Sequence, residues 1–267
     1  MAGHVAALYR HPVKGFTPER LGGAQLNVGA PFPCDRLYAV ETGPSGFDPA
    51  APAFVPKQKF AVLAALPQVA RASTHFDDDT QTLSASAPGL PDLSVSMADE
   101  AGRQAFADWL TRLLGEETRG PLKVVQAPGH RFMDHPRGDV SVLNLASLRD
   151  LEQKLGREID PLRFRANIYV DGWPAWAENQ WTGARMMIGW AQAQVFKPII
   201  RCAAPDVDPA TGMRDMEITK ALFEHYGHMF CGVYVHITRD GLVGLGDACS
   251  QPGAEEIPQR AAGSLGA

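Results

Sequence analysis

Ile199-Ile200-Arg201-Cys202-Ala203-Ala204-Pro205-Asp206-Val207-Asp208-Pro209-Ala210-Thr211-Gly212 is the stretch on which the reading of the fold turns. Gln194–Ile200 reads as a strand, and the Pro, Asp and Gly that follow force the chain into a loop. That loop opens on a cation and a thiol, Arg201 and Cys202. A neighbouring cation favours the thiolate, which is the metal-binding and nucleophilic form of cysteine. Taken alone, a single cysteine is more often a small buried hydrophobe. Asp208 likewise reads two ways, as a proton-transfer group or as a turn-forming residue before Pro209.

The segments on either side alternate between short strands and a few helices. Downstream, Ile218–His225 has helical spacing, and Gly232–Thr238, the turn Arg239-Asp240-Gly241 and Leu242–Leu245 read as a hairpin. Upstream, Phe164–Val170 reads as a strand. Asn144 is placed to cap a helix whose stripe is Leu145, Leu148, Leu151 and Leu155, ending at Gly156. Leu122–Gln126 reads as another strand, and Asp99–Gly115 carries Phe106, Trp109, Leu110, Leu113 and Leu114 at helical spacing. Before that come six short strand candidates, Val5–Tyr9, Ala24–Val28, Arg36–Glu41, Val69–Ser73, Thr80–Ala85 and Leu93–Ser96. Thr42–Pro56 reads as an exposed loop, and the tail from Gln251 as frayed. The expectation is an α+β, mainly β chain, with short strands first and helices interspersed later. A regular strand–helix alternation is missing, which disfavours a doubly wound parallel sheet.

Composition narrows the function. The chain has 267 residues and a net charge of −5, which excludes a generally basic nucleic-acid binder. Its four cysteines, Cys34, Cys202, Cys231 and Cys249, include no CxxC pair, so neither a disulfide scaffold nor a zinc knuckle is expected. No phosphate loop, dinucleotide fingerprint, nucleophile elbow or HExxH motif is present. His130 and His135, five apart, read as an exposed polar loop rather than as metal ligands. No window approaches the roughly 20 apolar residues of a membrane span, and the N-terminus lacks a secretory pattern, so a cytoplasmic protein is expected, with no membrane partner.

The cations are more informative. Arg163, Arg165 and Asn167 would share one face of the Phe164–Val170 strand. Like charges so placed repel unless an anion lies between them, and the planar guanidinium suits phosphate. The plainer reading gives each arginine a carboxylate partner on a neighbouring element.

Six stretches in order give this pattern a family likeness. They are Leu8-Tyr9-Arg10-His11-Pro12-Val13-Lys14-Gly15, Cys34-Asp35-Arg36-Leu37-Tyr38-Ala39-Val40, Val55-Pro56-Lys57-Gln58, Val140–Leu148, Phe164-Arg165-Ala166-Asn167-Ile168, and Arg201-Cys202 with Val207-Asp208-Pro209-Ala210-Thr211-Gly212. Together they resemble the MOSC superfamily, in particular members with an additional N-terminal β-barrel, such as the mitochondrial amidoxime-reducing component and its bacterial relatives. The resemblance implies a β-barrel-like domain over residues 1–118 and a MOSC β-barrel domain with a few helices over 119–267. It also implies a molybdenum cofactor, a pterin dithiolene with a terminal phosphate, ligated by Cys202. Lys14, Arg36, Lys57, Arg165, Asn167 and Arg201 would then surround the cofactor, with Ser141 and Asn144 adding donors at a helix N-terminus. Pyridoxal phosphate binding comes with the family only as a general label. The implied activity is reduction of N-hydroxylated or related substrates, with electrons from a separate donor protein, a b-type cytochrome or ferredoxin-like protein with its reductase. The alternative is a sulfur carrier, with a persulfide on Cys202, or a protein that stores or delivers the cofactor without turnover. Two departures stand out: Gly15 takes the place of a serine in some relatives, and Ala166 that of a proline. Neither the ferredoxin-like extension nor the membrane anchor of some members is expected.

Overall fold

In the computed structural model, which describes residues 2–118, 120–137 and 139–253, the chain alternates short strands with three helices. The strands are β1 (Gly3–Arg10), β2 (Glu19–Leu21), β3 (Gly23–Leu26), β4 (Ala39–Thr42), β5 (Ser73–Asp77), β6 (Thr82–Ser86) and β7 (Leu93–Ser96). Then come α1 (Glu100–Leu114), β8 (Leu122–Val125), β9 (Val140–Asn144), α2 (Leu145–Leu155), β10 (Ile168–Asp171), β11 (Arg185–Ile188) and β12 (Ala191–Ile200). α3 (Ile218–Tyr226), β13 (Phe230–Arg239), β14 (Gly241–Gly244) and β15 (Ala248–Cys249) complete the order. The chain is α+β and mainly sheet, as expected.

Seven strands close on themselves. β1 pairs with β10 and β15, and the circuit continues β10-β9-β13-β12-β11-β15 back to β1, with β2 added along the edge of β1. The β9–β10 pair is parallel; the other pairs of the circuit are antiparallel. Its interior follows the two-residue period of a strand: Ala191, Ala193 and Val195 alternate with less buried neighbours on β12, and Val140, Val142, Ile168, Val170, Val233 and Val235 face them. Burying aliphatic side chains of this size contributes about 1.5–3 kcal/mol each before entropy is charged against it.

The N-terminal half contributes β1 to this ring, with β2 along its edge, β3 to a pair with β14, β4 to a pair with β8, and β5-β6-β7 to a meander. Over these lies α1, which buries Phe106, Trp109, Leu110 and Leu113 against Phe76, Leu83 and Val124. Asp99 caps it by accepting from the Gly102 amide at 2.7 Å, and Gly115 ends it at φ 56°. α2 starts and stops where the sequence indicates: Asn144 accepts from the Ala146 amide at 3.0 Å, and Gly156 takes the left-handed C-cap. α2 and α3 cover the outside of the ring through Leu148, Leu151, Ile218 and Leu222, with Tyr169 between.

Four expectations need correction. The segment Gly232–Leu245 is not a hairpin: β13 pairs with β9 and β12, whereas β14 turns away at Asp240 and pairs with β3, Leu242 opposite Gln25. Val69–Ser73 begins in a 3-10 turn, Pro67–Arg71, because Pro67 sets the φ of its first residue; the strand starts only at Ser73. Arg36 lies outside β4 in the left-handed region, φ 51°. Finally, Phe164–Val170 is a strand only from Ile168. Pro161–Phe164 forms a 3-10 turn capped by Asp160, and Arg165 closes it at φ 51°. Arg163, Arg165 and Asn167 therefore do not share a strand face. Thr42–Pro56 is loop, apart from the end of β4, and the tail beyond Gly253 lies outside the described residues.

Candidate active site

Where β12 ends against the 3-10 turns, a cleft of about 210 Å³ opens. Cys202 lines it, partly buried, directly beyond the strand. The Lys57 ammonium comes from a turn 145 residues earlier and stands 3.2 Å from the Cys202 thiol. Burial works to lower the Lys57 pKa, but Asp134 and Cys202 overcome it and raise it.

Lys14, Arg36, Gly15, Ser141, Arg165 and Arg201 line the same cleft. Lys14 is buried, donates to the Phe132 carbonyl at 2.8 Å, and pairs with Asp134. Burial lowers its pKa. Desolvation at the cleft works to raise Asp134, whose side chain is still 38% exposed, but Lys14, Arg36 and Lys57 outweigh it and hold the carboxyl below its usual range. Arg36 pairs with Asp35, which is fully buried and also accepts from the His11 amide at 2.6 Å and faces His11 Nδ1 at 3.1 Å. Burial would raise Asp35 too; Arg36 and His11 hold it ionised. Burial and the nearby Arg165 push His11 down to about 3, so this buried pair is a neutral imidazole beside a carboxylate.

Arg165 differs from these cations. Its left-handed backbone turns the side chain into the cleft; among the described residues no carboxylate forms an ion pair with it, and its Nη2 is a buried donor without a partner. Burial and then Arg36 lower its pKa to about 10. A buried unsatisfied donor on a charged group is costly, and the cost disappears when an anion occupies the cleft. Seven Lys or Arg side chains line the cleft against two carboxylates, Asp134 and Asp139, so its field favours an anion.

Gly15 explains one departure from the family pattern. It holds φ 91°, and a Cβ there would run into the Ala61 carbonyl oxygen, so a serine hydroxyl has no room beside Lys14 in this chain.

Other expected site residues serve the frame. Ser141 and Asn167 bond each other: Ser141 Oγ donates to Asn167 Oδ1 at 2.8 Å, and the Asn167 amide donates to Ser141 Oγ at 3.0 Å. Arg201 spends its donors on the Cys231 carbonyl at 2.8 and 2.6 Å and on the Phe164 carbonyl at 2.8 Å, which ties the strand end carrying Cys202 to its neighbours. Asn144 lies away from the cleft lining, capping α2 and donating to Glu178 at 2.8 Å. Asp208 is also outside it, folded into a turn in which it accepts from the Ala210 amide at 2.8 Å. Arg163 meets Asp215 at 2.8 Å, the carboxylate partner of the plainer reading.

The sequence reading missed Asp134, Asp139, His11 and Tyr234, and placed His135 in an exposed loop. His135 lines the cleft instead, 3.4 Å from Asp139. The cue in the sequence was the nearness of His11 to Lys14 and of Asp134, His135 and Asp139 to Ser141; Tyr234 had none, since it meets Ser141 only through strand pairing. Among the described residues no group of three His, Cys, Asp or Glu is set to hold a metal ion, and no helix is long and apolar enough to cross a membrane.

Mitochondrial amidoxime-reducing component 1 of Mus musculus is 36% identical over 74 residues, 28% of this chain and 21% of the relative. Molybdenum cofactor sulfurase of Caenorhabditis elegans is 30% identical over 150 residues, 54% of this chain and 20% of the relative. The matched part thus spans about a fifth of the length of either relative. The crystal structure of the YuaD protein from Bacillus subtilis aligns over 93% of this chain and 94% of that one, with 14% identity and a TM-score of 0.44. Residues 2–117 match the MOSC N-terminal beta barrel domain and residues 129–250 the MOSC domain, and the chain is accordingly a MOSC-domain protein of this two-part kind.

Proposed function

We propose that this chain binds a molybdenum cofactor in the cleft through Cys202 and reduces N-hydroxylated or related N-oxygenated small molecules. The observation that carries the reading is the pairing of two features in one cleft: a thiol 3.2 Å from an ammonium, and a buried arginine with an unsatisfied donor. Thiolate is a soft ligand suited to such a metal, and the unpaired cation suits the cofactor's phosphate. The residues present therefore fit the group. The reaction class is drawn from the amidoxime-reducing relative, an amidoxime being an N-hydroxylated amidine.

When bound, the cofactor supplies two-electron oxygen-atom chemistry. Arg165, Arg36 and Lys14 hold its anionic parts, with Asp35 and Asp134 keeping two of those cations oriented. Lys57 offsets the charge of the Cys202 thiolate, and Arg201 fixes the strand end from which Cys202 projects. Ser141 and Asn167 set the wall. Asp208 shapes its turn. Electrons come from a separate donor protein, of b-type cytochrome or ferredoxin-like kind with its reductase, in the cytoplasm. A division of the chain near residue 118 is supported by the two family matches, which end and begin at 117 and 129.

The test is anaerobic purification from a host that makes the cofactor, followed by molybdenum and pterin analysis. Close to one molybdenum per chain is expected, lost in Cys202→Ala. Metal-free protein with a cyanolysable sulfur on Cys202 would favour the sulfur-carrier reading, to which the sulfurase relative also points. Absence of both would overturn the two readings together.

A further inference from the structure

Asp139, immediately before β9, has a side chain only 2% exposed and faces two imidazoles. His236, on β13 beside it, lies with Nδ1 against Asp139 Oδ1. A carboxylate only accepts, so the His236 proton sits on Nδ1, and its buried Nε2 has no partner among the described residues. The second carboxylate oxygen, Oδ2, is buried and, among the described residues, lacks a donor. His135 Nδ1 stands 3.4 Å from it. The Arg137 amide points at that same Nδ1, also at 3.4 Å, which places the single proton of neutral His135 on Nε2. A second proton, on Nδ1, would give the orphaned oxygen a charge-assisted bond. The cluster is therefore shaped to accept a proton next to the cleft that His135 and Asp139 share with Cys202.

Phe196 fixes both rings, its centroid 5.2 Å from His135 and 5.0 Å from His236. The charged and titratable groups facing His135 are Asp139, His236, Arg137 and Lys197, with the Tyr234 ring 6.2 Å away. Burial, then Lys197, Arg137 and His236, lower the His135 pKa against the pull of Asp139. Such an imidazolium releases its proton more readily than a free one.

We propose that His135 donates the proton to the oxygen that leaves the substrate, with Asp139 as its positioning residue. The inference rests on the reduction proposed above. In the step, the N–O bond of R–NH–OH breaks and the bonding pair goes to oxygen; the two electrons needed are those that an external reductant would supply when the cofactor is bound. The His135 Nε2–H bond breaks and its proton goes to that oxygen; a second proton comes from solvent. The products are R–NH2 and water, and His135 is left neutral until it takes another proton from solvent.

Two readouts test it. In cofactor-free protein with labelled histidine, NMR titration of Asp139→Asn is expected to show the His135 pKa at least half a unit lower; an unchanged value overturns the positioning role. In loaded enzyme, with an aryl amidoxime and dithionite-reduced viologen, His135→Gln is expected to lower kcat/KM about 10²-fold. It should also abolish the fall in rate as pH rises through the His135 pKa, at unchanged molybdenum content. Full activity with the wild-type pH profile overturns the donor role and leaves the molybdenum reading standing. Wild-type protein without molybdenum overturns that reading, and the donor role with it.

Discussion

His11 makes the site sensitive to acid in a way that can be measured. Its imidazole is fully buried, and burial with the nearby Arg165 lowers its pKa from 6.5 to about 3. The unfolded chain takes up a proton near pH 6.5, whereas the native state resists one until about pH 3. A lowered histidine therefore contributes stability that is full above pH 6.5 and is lost as pH falls toward 3. At pH 4 the linkage relation gives about 3 kcal/mol lost from this one group. Asp35 acts in the same direction at still lower pH, since its folded pKa is depressed below its unfolded value. His11→Asn keeps a donor toward Asp35 Oδ1 but cannot titrate. It is less stable than wild type at pH 7, because the smaller side chain leaves a void. Urea unfolding followed by tryptophan fluorescence between pH 7 and pH 4 should show that deficit shrinking by about 3 kcal/mol. Parallel stability curves for the two proteins would refute the buried neutral imidazole and the charge arrangement built on it.

Arg165→Ala should lower the cofactor retained after gel filtration at least tenfold, read as pterin and molybdenum per chain, and Arg165→Lys should lose less; equal retention in all three would remove Arg165 from the phosphate site. Asn144→Ala, which strips α2 of its cap and leaves Glu178 short of a buried donor, should cost about 2–4 kcal/mol in urea unfolding. Molybdenum per folded Asn144→Ala chain should stay at the wild-type level, and its loss would place Asn144 in the site after all.

What could be read from the sequence was what local chemistry decides. Asp99 and Gly115 bracket α1, and Asn144 and Gly156 bracket α2, because a cap and a left-handed stop act within a few residues. The failures occur where a partner far along the chain decides. Gly232–Leu245 has the composition of a hairpin, yet Gly241–Gly244 finds its hydrogen bonds on Gly23–Leu26, more than 200 residues earlier. Strand pairing to a distant segment leaves no mark on the period of either strand. Arg163 to Asn167 failed for another reason. Alternation was read through Arg165, but Pro161 and Asp160 start a 3-10 turn that consumes the first half of the segment.

The site divides along the same line. The cations were visible because they sit in short motifs beside Pro12, Asp35 and Asn167. Their counter-ions were not, because Lys14 meets Asp134 across 120 residues and Lys57 meets Cys202 across 145. That division has a chemical consequence. Lys14, Arg36 and Arg163 each form an ion pair with a carboxylate, whereas among the described residues Arg165 keeps a buried donor unsatisfied and Lys57 makes its hydrogen bond to a thiol. A cleft whose charges were all paired would be explained by folding alone. Of the cations without an ion-paired carboxylate, Arg201 is taken up by backbone carbonyls and Lys197 lies over the Phe196 ring. Arg165 and Lys57 are the ones an anionic, thiol-ligated group would need, and a net charge of −5 on the whole chain conceals them.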